Sequence, residues 1–326
     1  MPNRRAVLAA LAAGMPGATA WAQTTPDPFP TRAVRLVVPY SVGIGPDVVA
    51  RSVAEQLSQQ WAQPVLVDNR PGASGIVAFS DVRRTNPDGH TLFLADTATL
   101  AVNPLLHPNL PYDPVRDLEP LTLLFRATFV LWVGGVSRFQ SLAQLQDAAR
   151  RESDRVSYAS LGNGHASQVA VESYAHAAGL RLLHVPFKDG GALMSAVASG
   201  EVDFTAFSIN TMAGLMASGR LRPLAVAASR RLPGHATIPT LVEAGGPPVQ
   251  MHPWAALMAV AGTPAPVLAD LRHALAKALA SETVRGRAET AGFEITPSAP
   301  QAVRDQMAAD TATVLPLIAA GRITKL

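Results

Sequence analysis

Val34-Arg35-Leu36-Val37-Val38-Pro39-Tyr40-Ser41-Val42-Gly43-Ile44-Gly45-Pro46-Asp47-Val48-Val49-Ala50-Arg51 shows in miniature how the whole chain is organised. It opens on a short, nearly continuous apolar run, which reads as a strand covered on both faces. A loop of small residues follows, and then a helix whose start is marked by Pro46. Val49, Val53, Leu57 and Trp61 continue at helical spacing. The glycines let backbone N–H groups face outward, and a helix N-terminus carries free donors with a partial positive charge.

The same alternation runs on through the sequence. Apolar runs recur at 65–67, 91–95, 129–133, 156–160, 182–187, 202–207, 224–228 and 255–260, with helical patterns between many of them. This predicts an α/β architecture with mostly parallel sheets flanked by helices. Two helices are expected to close the chain. One follows Thr263-Pro264 as a cap, with Val267, Leu268, Leu271, Leu275 and Leu279 on one face. The other starts near Pro300 and buries Val303, Met307, Val314 and Ile318.

Two further strand–loop–helix segments, Thr91–Thr99 and Val156–Ser167, match the first. In open α/β sheets such loops gather beyond the carboxyl ends of the strands, where ligands bind. Nucleotide readings fail in detail: Gly43-x-Gly45 is followed by Val48 where the dinucleotide fingerprint needs its third glycine, and no GK[ST] is present. Ser41 lies in Pro39-Tyr40-Ser41-Val42-Gly43, a nucleophile elbow with its first glycine replaced by proline, which leaves a serine hydrolase as a remote alternative. The eight histidines form no metal-binding spacing, and the chain contains no cysteine. No metal, cofactor or catalytic residue is therefore expected.

Arg4 and Arg5, the apolar run Ala6–Ala13 and the small residues Ala20 and Ala22 have the layout of a signal peptide cleaved after Ala22, which predicts export to the periplasm. The formal charge is only +3, two units of which come from Arg4 and Arg5, so nucleic acid is not implied. No later segment reaches the roughly 18 apolar residues of a membrane span.

Phe29–Tyr40 (FPTRAVRLVVPY) resembles the opening of the Bug-type substrate-binding proteins, the receptors of tripartite tricarboxylate transporters. The resemblance continues through Asp47–Arg51, Asn69–Ala73, Pro87–Leu92, Asn103-Pro104 and Leu110–Pro114. It extends to His184–Lys188, Gly200–Asp203, Gly219–Arg222, Ile238–Thr240 and Ala261–Pro264. It implies a two-lobed type II periplasmic binding protein fold with a ligand cleft between the lobes. Residues 23–124 and 251–326 would form lobe one, and 125–250 lobe two. It further implies a receptor that takes a small-molecule ligand, a carboxylate, to membrane transporter subunits, and a monomer is the simplest expectation. A receptor signalling to a membrane sensor protein is the alternative.

Carried over by position, ligand contacts are expected from Tyr40, Ser41, Val42, Gly43 and Gly45, and from Thr97, Ala98 and Thr99. The third loop contributes Ser160, Asn163, Gly164, His165, Ala166 and Ser167, and Phe207 lines the opposite side. Compared with the family, Ile44 interrupts the glycine run, Pro46 replaces the threonine that follows it, His165 replaces a common serine, Phe207 replaces a frequent aspartate and Asp96 adds an acid. Asp47 and Asp96 are also candidate helix caps. Arg70 and Lys188 read as loop braces.

Overall fold

The computed structural model describes residues 29–326, so the signal-peptide expectation for residues 1–22 falls outside the described part. The chain begins with β1 (Val34–Val38), α1 (Gly45–Trp61), β2 (Val65–Asn69), α2 (Ile76–Val82) and β3 (Thr91–Asp96). Short helices α3 (Asn103–Leu106) and α4 (Pro114–Asp117) lead to β4 (Leu118–Arg126) and β5 (Phe129–Gly134). Then come α5 (Leu142–Arg151), β6 (Ser157–Ser160), α6 (Ala166–Ala177), β7 (Leu183–Pro186), α7 (Gly190–Ser199), β8 (Phe204–Ser208), α8 (Ile209–Ala217) and β9 (Leu221–Val226). The remainder is β10 (Trp254–Val260), α9 (Ala265–Ala280), α10 (Glu282–Thr290), β11 (Glu294–Ile295) and α11 (Pro300–Ala319).

These strands build two sheets. The first has the order β11-β4-β10-β3-β1-β2 and the second β7-β6-β8-β5-β9. In the first sheet β1, β2, β3 and β4 share a direction, and β10 runs against both β3 and β4. In the second only β5 opposes the rest. Apolar clusters cover both faces of each sheet, which is why β3 and β10 are apolar almost throughout.

β4 and α10 both escape the sequence reading for physical reasons. β4 contains Pro120, which removes a ladder donor and breaks the apolar run. The pairing shifts register beside it, between Leu257 and Met258. α10 buries only Val284 and Ala288, too few to show a helical period, so three helices follow β10 rather than two. Thr263 is also not a cap, because its hydroxyl donates back to the Val260 carbonyl at 2.8 Å and Pro264 holds the cap position. In α11 Leu317 is buried while Ile318 is only partly so.

The chain passes from the first sheet to the second through 127–128 and returns through 227–253. The two passages lie side by side: Ala127 N–H donates to Pro253 at 2.8 Å and Phe129 N–H to Met251 at 3.0 Å. Further seams join the lobes. Val169 of α6 packs into a cluster of Val102, Leu106, Val314, Leu317 and Ile323. Arg322 pairs with Glu172 of α6 at 3.1 Å. Gly164 has φ +76°, and any Cβ there would meet Leu106 at 2.7 Å, so only glycine permits this approach.

Candidate functional site

Between the two sheets lies a cavity of about 730 Å³, within the roughly 300–1,000 Å³ of small-molecule sites. It is walled by the β1–α1 loop, the loops leading into α6, α7 and α8, the start of β10, and the α10–β11 turn. Four helix N-termini open onto it: Gly45 of α1, Ala166 of α6, Gly190 of α7, and Asn210 and Thr211 of α8. Side chains of His165 and Asp189 cap α6 and α7, whereas no side chain caps α1 or α8. Each N-terminus contributes about half a positive charge. The cavity therefore favours an anion through backbone dipoles.

The β1–α1 loop is held from beneath. Asp47 is 1% exposed and accepts from Gly43 N–H at 2.8 Å, Arg51 Nε at 2.9 Å and Asn69 Nδ2 at 2.8 Å. It is not the N-cap, a position occupied by Ile44. It sits at the third helical position and reaches back to the Gly43 N–H, one residue before the N-cap N–H that a capping box would bond. Burial pushes its carboxyl up, but the hydrogen bonds from Arg51, Gly43 and Asn69 outweigh this and hold the pKa below the usual value. Gly43, at φ +84°, supplies the left-handed turn that aims its N–H at Asp47.

Asp96 acts in a similar way at the end of β3. Its Oδ1 accepts from Thr99 N–H at 2.8 Å and its Oδ2 from the Tyr40 hydroxyl at 2.5 Å. Burial, reinforced by the Asp96 charge, holds the Tyr40 phenol well above its ordinary pKa, so it stays a neutral donor. The β1 and β3 loops are thereby tied together.

Of the residues expected to contact ligand, Tyr40, Ser41, Gly43, Gly45, His165, Ala166 and Phe207 line this cavity. Val42 does not, being 69% exposed. Ala98 and Thr99 are buried outside the lining, with Thr99 engaged by Asp96. Thr97 lies beside a separate hinge cavity of about 100 Å³, near Asp310, and its buried hydroxyl has no well-aligned partner. Ser160 is fully buried and shares a 2.6 Å hydrogen bond with His184. Asn163 donates to Thr324 at 2.8 Å, Gly164 N–H donates to Gln168, and Ser167 bonds the His165 ring.

Other lining residues were not expected. Lys188 faces the cavity and makes no ion pair among the described residues, whereas Arg70 does brace its loop through Asp68. Phe125, Phe129, Met194, Met212, Trp254 and Phe293 supply apolar wall. Asn210 crosses between the lobes, donating to Glu289 at 2.6 Å. Ser41 makes no hydrogen bond to a histidine among the described residues, so the hydrolase alternative lacks its base.

His165 is the residue whose state the structure defines most closely. Its Nδ1 accepts from Ser167 N–H at 3.1 Å, which places the ring proton on Nε2. Burial lowers its pKa to about 4, although the Asp96 charge pulls the other way. Unfolded histidine titrates near 6.5. As pH falls from about 6.5 to about 4, the unfolded chain takes up a proton that the native chain refuses. Stability is therefore expected to decline through that window by at most about 1.4 kcal/mol per pH unit. Burial shifts His184 and His252 in the same direction. Urea unfolding at several pH values should show a shallower decline in His165→Asn, which keeps a cap acceptor. An unchanged slope would exclude His165 as the source.

A family model described as "Tripartite tricarboxylate transporter family receptor" matches residues 49–321. The "UPF0065 protein in tcbD-tcbE intergenic region" of Pseudomonas sp. (strain P51) is 33% identical over 310 residues, covering 95% of this chain and 92% of that relative. Among solved structures, "R. palustris Rpa4515 with adipate" superposes with a TM-score of 0.82 at 29% identity, covering 91% of this chain and all of that one. "MatC (Rpa3494) from Rhodopseudomonas palustris with bound malate" has a TM-score of 0.77 at 29% identity, with 88% and 100% coverage. With its sheets, its interlobe cavity and a family match spanning most of its length, the chain belongs to the tripartite tricarboxylate transporter receptors, a family of periplasmic solute-binding proteins and not of enzymes.

Proposed function

We propose that the protein captures a small organic acid between its lobes and delivers it to a tripartite tricarboxylate-type membrane transporter. The observation that carries this reading is the convergence of four helix N-termini on one cavity. Backbone donors there suit a carboxylate without a cluster of cations. The bound adipate and malate of the two R. palustris proteins support the same ligand chemistry. On this reading residues 23–126 and 251–326 form one lobe and 127–250 the other, two residues later than the sequence suggests because β4 runs to Arg126 in the first sheet, and a monomer acts after cleavage at Ala22. The paired passages at 127–128 and 227–253 serve as the hinge. Ligand contacts to both sides stabilise the closed arrangement. The contacts come from Tyr40, Ser41, Gly43, Gly45, His165, Ala166 and Phe207, with Lys188 added.

A thermal-shift screen tests it, using protein unfolded and refolded to remove carried-over ligand. At a hundred times its Kd, a ligand should add about 2.7 kcal/mol, visible as a rise of several degrees in Tm. Carboxylates are expected to produce the rise, and neutral sugars or amines are not. A folded protein that responds to no acid would overturn the reading.

A further inference from the structure

We propose that the cleft selects an acid with a single carboxylate on a bulky apolar body over a dicarboxylate or tricarboxylate of the same length. This rests on the receptor reading and narrows its substrate class.

The walls carry the first part of the argument. Phe129 and Phe207 lie with ring centroids 5.7 Å apart on the second lobe, and Phe125 and Phe293 lie 4.2 Å apart on the first. Met194 and Met212 fill in beside them. Aromatic and thioether walls reward apolar area and adapt to its shape. A cavity of about 730 Å³ has room for a ring or a chain of several carbons.

Charge carries the second part. Lys188, just ahead of α7, is the one lining cation without an ion pair among the described residues. Arg287 also lines the cavity, but Glu55 neutralises it at 2.7 Å. Asp189 is a carboxylate and already caps α7. His165 is neutral and offers one N–H. One anionic group is thus matched by one cation and the helix dipoles. A second carboxylate at the far end of the ligand would lie against phenylalanine rings with no second unpaired cation among the described lining residues, and desolvating it there is costly.

Isothermal titration with matched acids decides the matter: hexanoate against adipate, and 4-methylbenzoate against terephthalate. The monoacid of each pair is expected to bind at least tenfold tighter. In Lys188→Gln both members of a pair should weaken, and in Phe207→Asp the monoacid should lose tenfold or more. A diacid that binds as tightly as its monoacid overturns the inference and leaves the receptor reading standing. Failure of every acid to bind the wild-type protein overturns both.

Discussion

Asp47→Ala should cost the protein its ligand before it costs the fold: affinity is expected to fall tenfold or more, and unfolding free energy by about 3 kcal/mol. The carboxylate is the common acceptor for Gly43 N–H, Arg51 and Asn69, and is almost wholly buried. Its removal strands three donors, one of them charged. The loop that presents Gly43 and Gly45 to the cavity then loses its fixed turn. Arg51 and Asn69 also bond each other at 2.8 Å, which limits the damage to α1 itself. Titration calorimetry and urea unfolding report the two quantities separately. Asp47→Asn, which keeps one acceptor oxygen, should fall between. Lost stability with unchanged affinity would show that the β1–α1 loop does not present the ligand.

The second large effect is expected at the opposite seam. Arg322 and Glu172 have side-chain exposures of 17% and 5%. Arg322 also donates to the Leu180 carbonyl at 2.8 Å, and Tyr158 donates to Glu172 at 2.7 Å. Arg322→Met leaves a carboxylate buried beside a tyrosine with no cation. Breaking such a pair typically costs about 3–5 kcal/mol. Adding Glu172→Gln to Arg322→Met should recover part of that loss, because the stranded charge disappears with it. A double-mutant cycle measures the coupling. Two purely additive losses would mean that the ion pair contributes nothing.

The strands legible from sequence are those whose burial is local in pattern. β1, β3, β5 and β10 are covered on both faces and read as unbroken apolar runs. β4 hides because Pro120 interrupts it, and β11 because two residues carry no period. Of the three loops expected to carry ligand, those after β1 and β6 reach the cavity and the one after β3 does not, and which side chains face it depends on facts beyond the loop. Ser160 is a case in point. It lies two residues after Tyr158 on β6 and so shares its face. That face is occupied by His184, which stacks on Tyr158 and shares a hydrogen bond with the Ser160 hydroxyl. Phe293 could not be placed at all, since neither α10 nor β11 showed in the sequence pattern. Lys188 reads as a loop brace in the sequence; that it lines the cavity without an ion pair among the described residues is a property of its neighbours in space.

The position of β10 bears on how the molecule comes into being. The first sheet holds this strand at its middle, between β3 and β4, although the whole of the second sheet intervenes in sequence. The second sheet draws all its strands from one uninterrupted stretch. Its pairings close shorter loops and so surrender less chain entropy. In a chain emerging from the N-terminus, β5 to β9 can therefore settle while β3 and β4 still wait for the strand that separates them. The lobe written first is the one finished last. Until Trp254–Val260 arrives, its exposed strand edges are where a holding chaperone would find purchase.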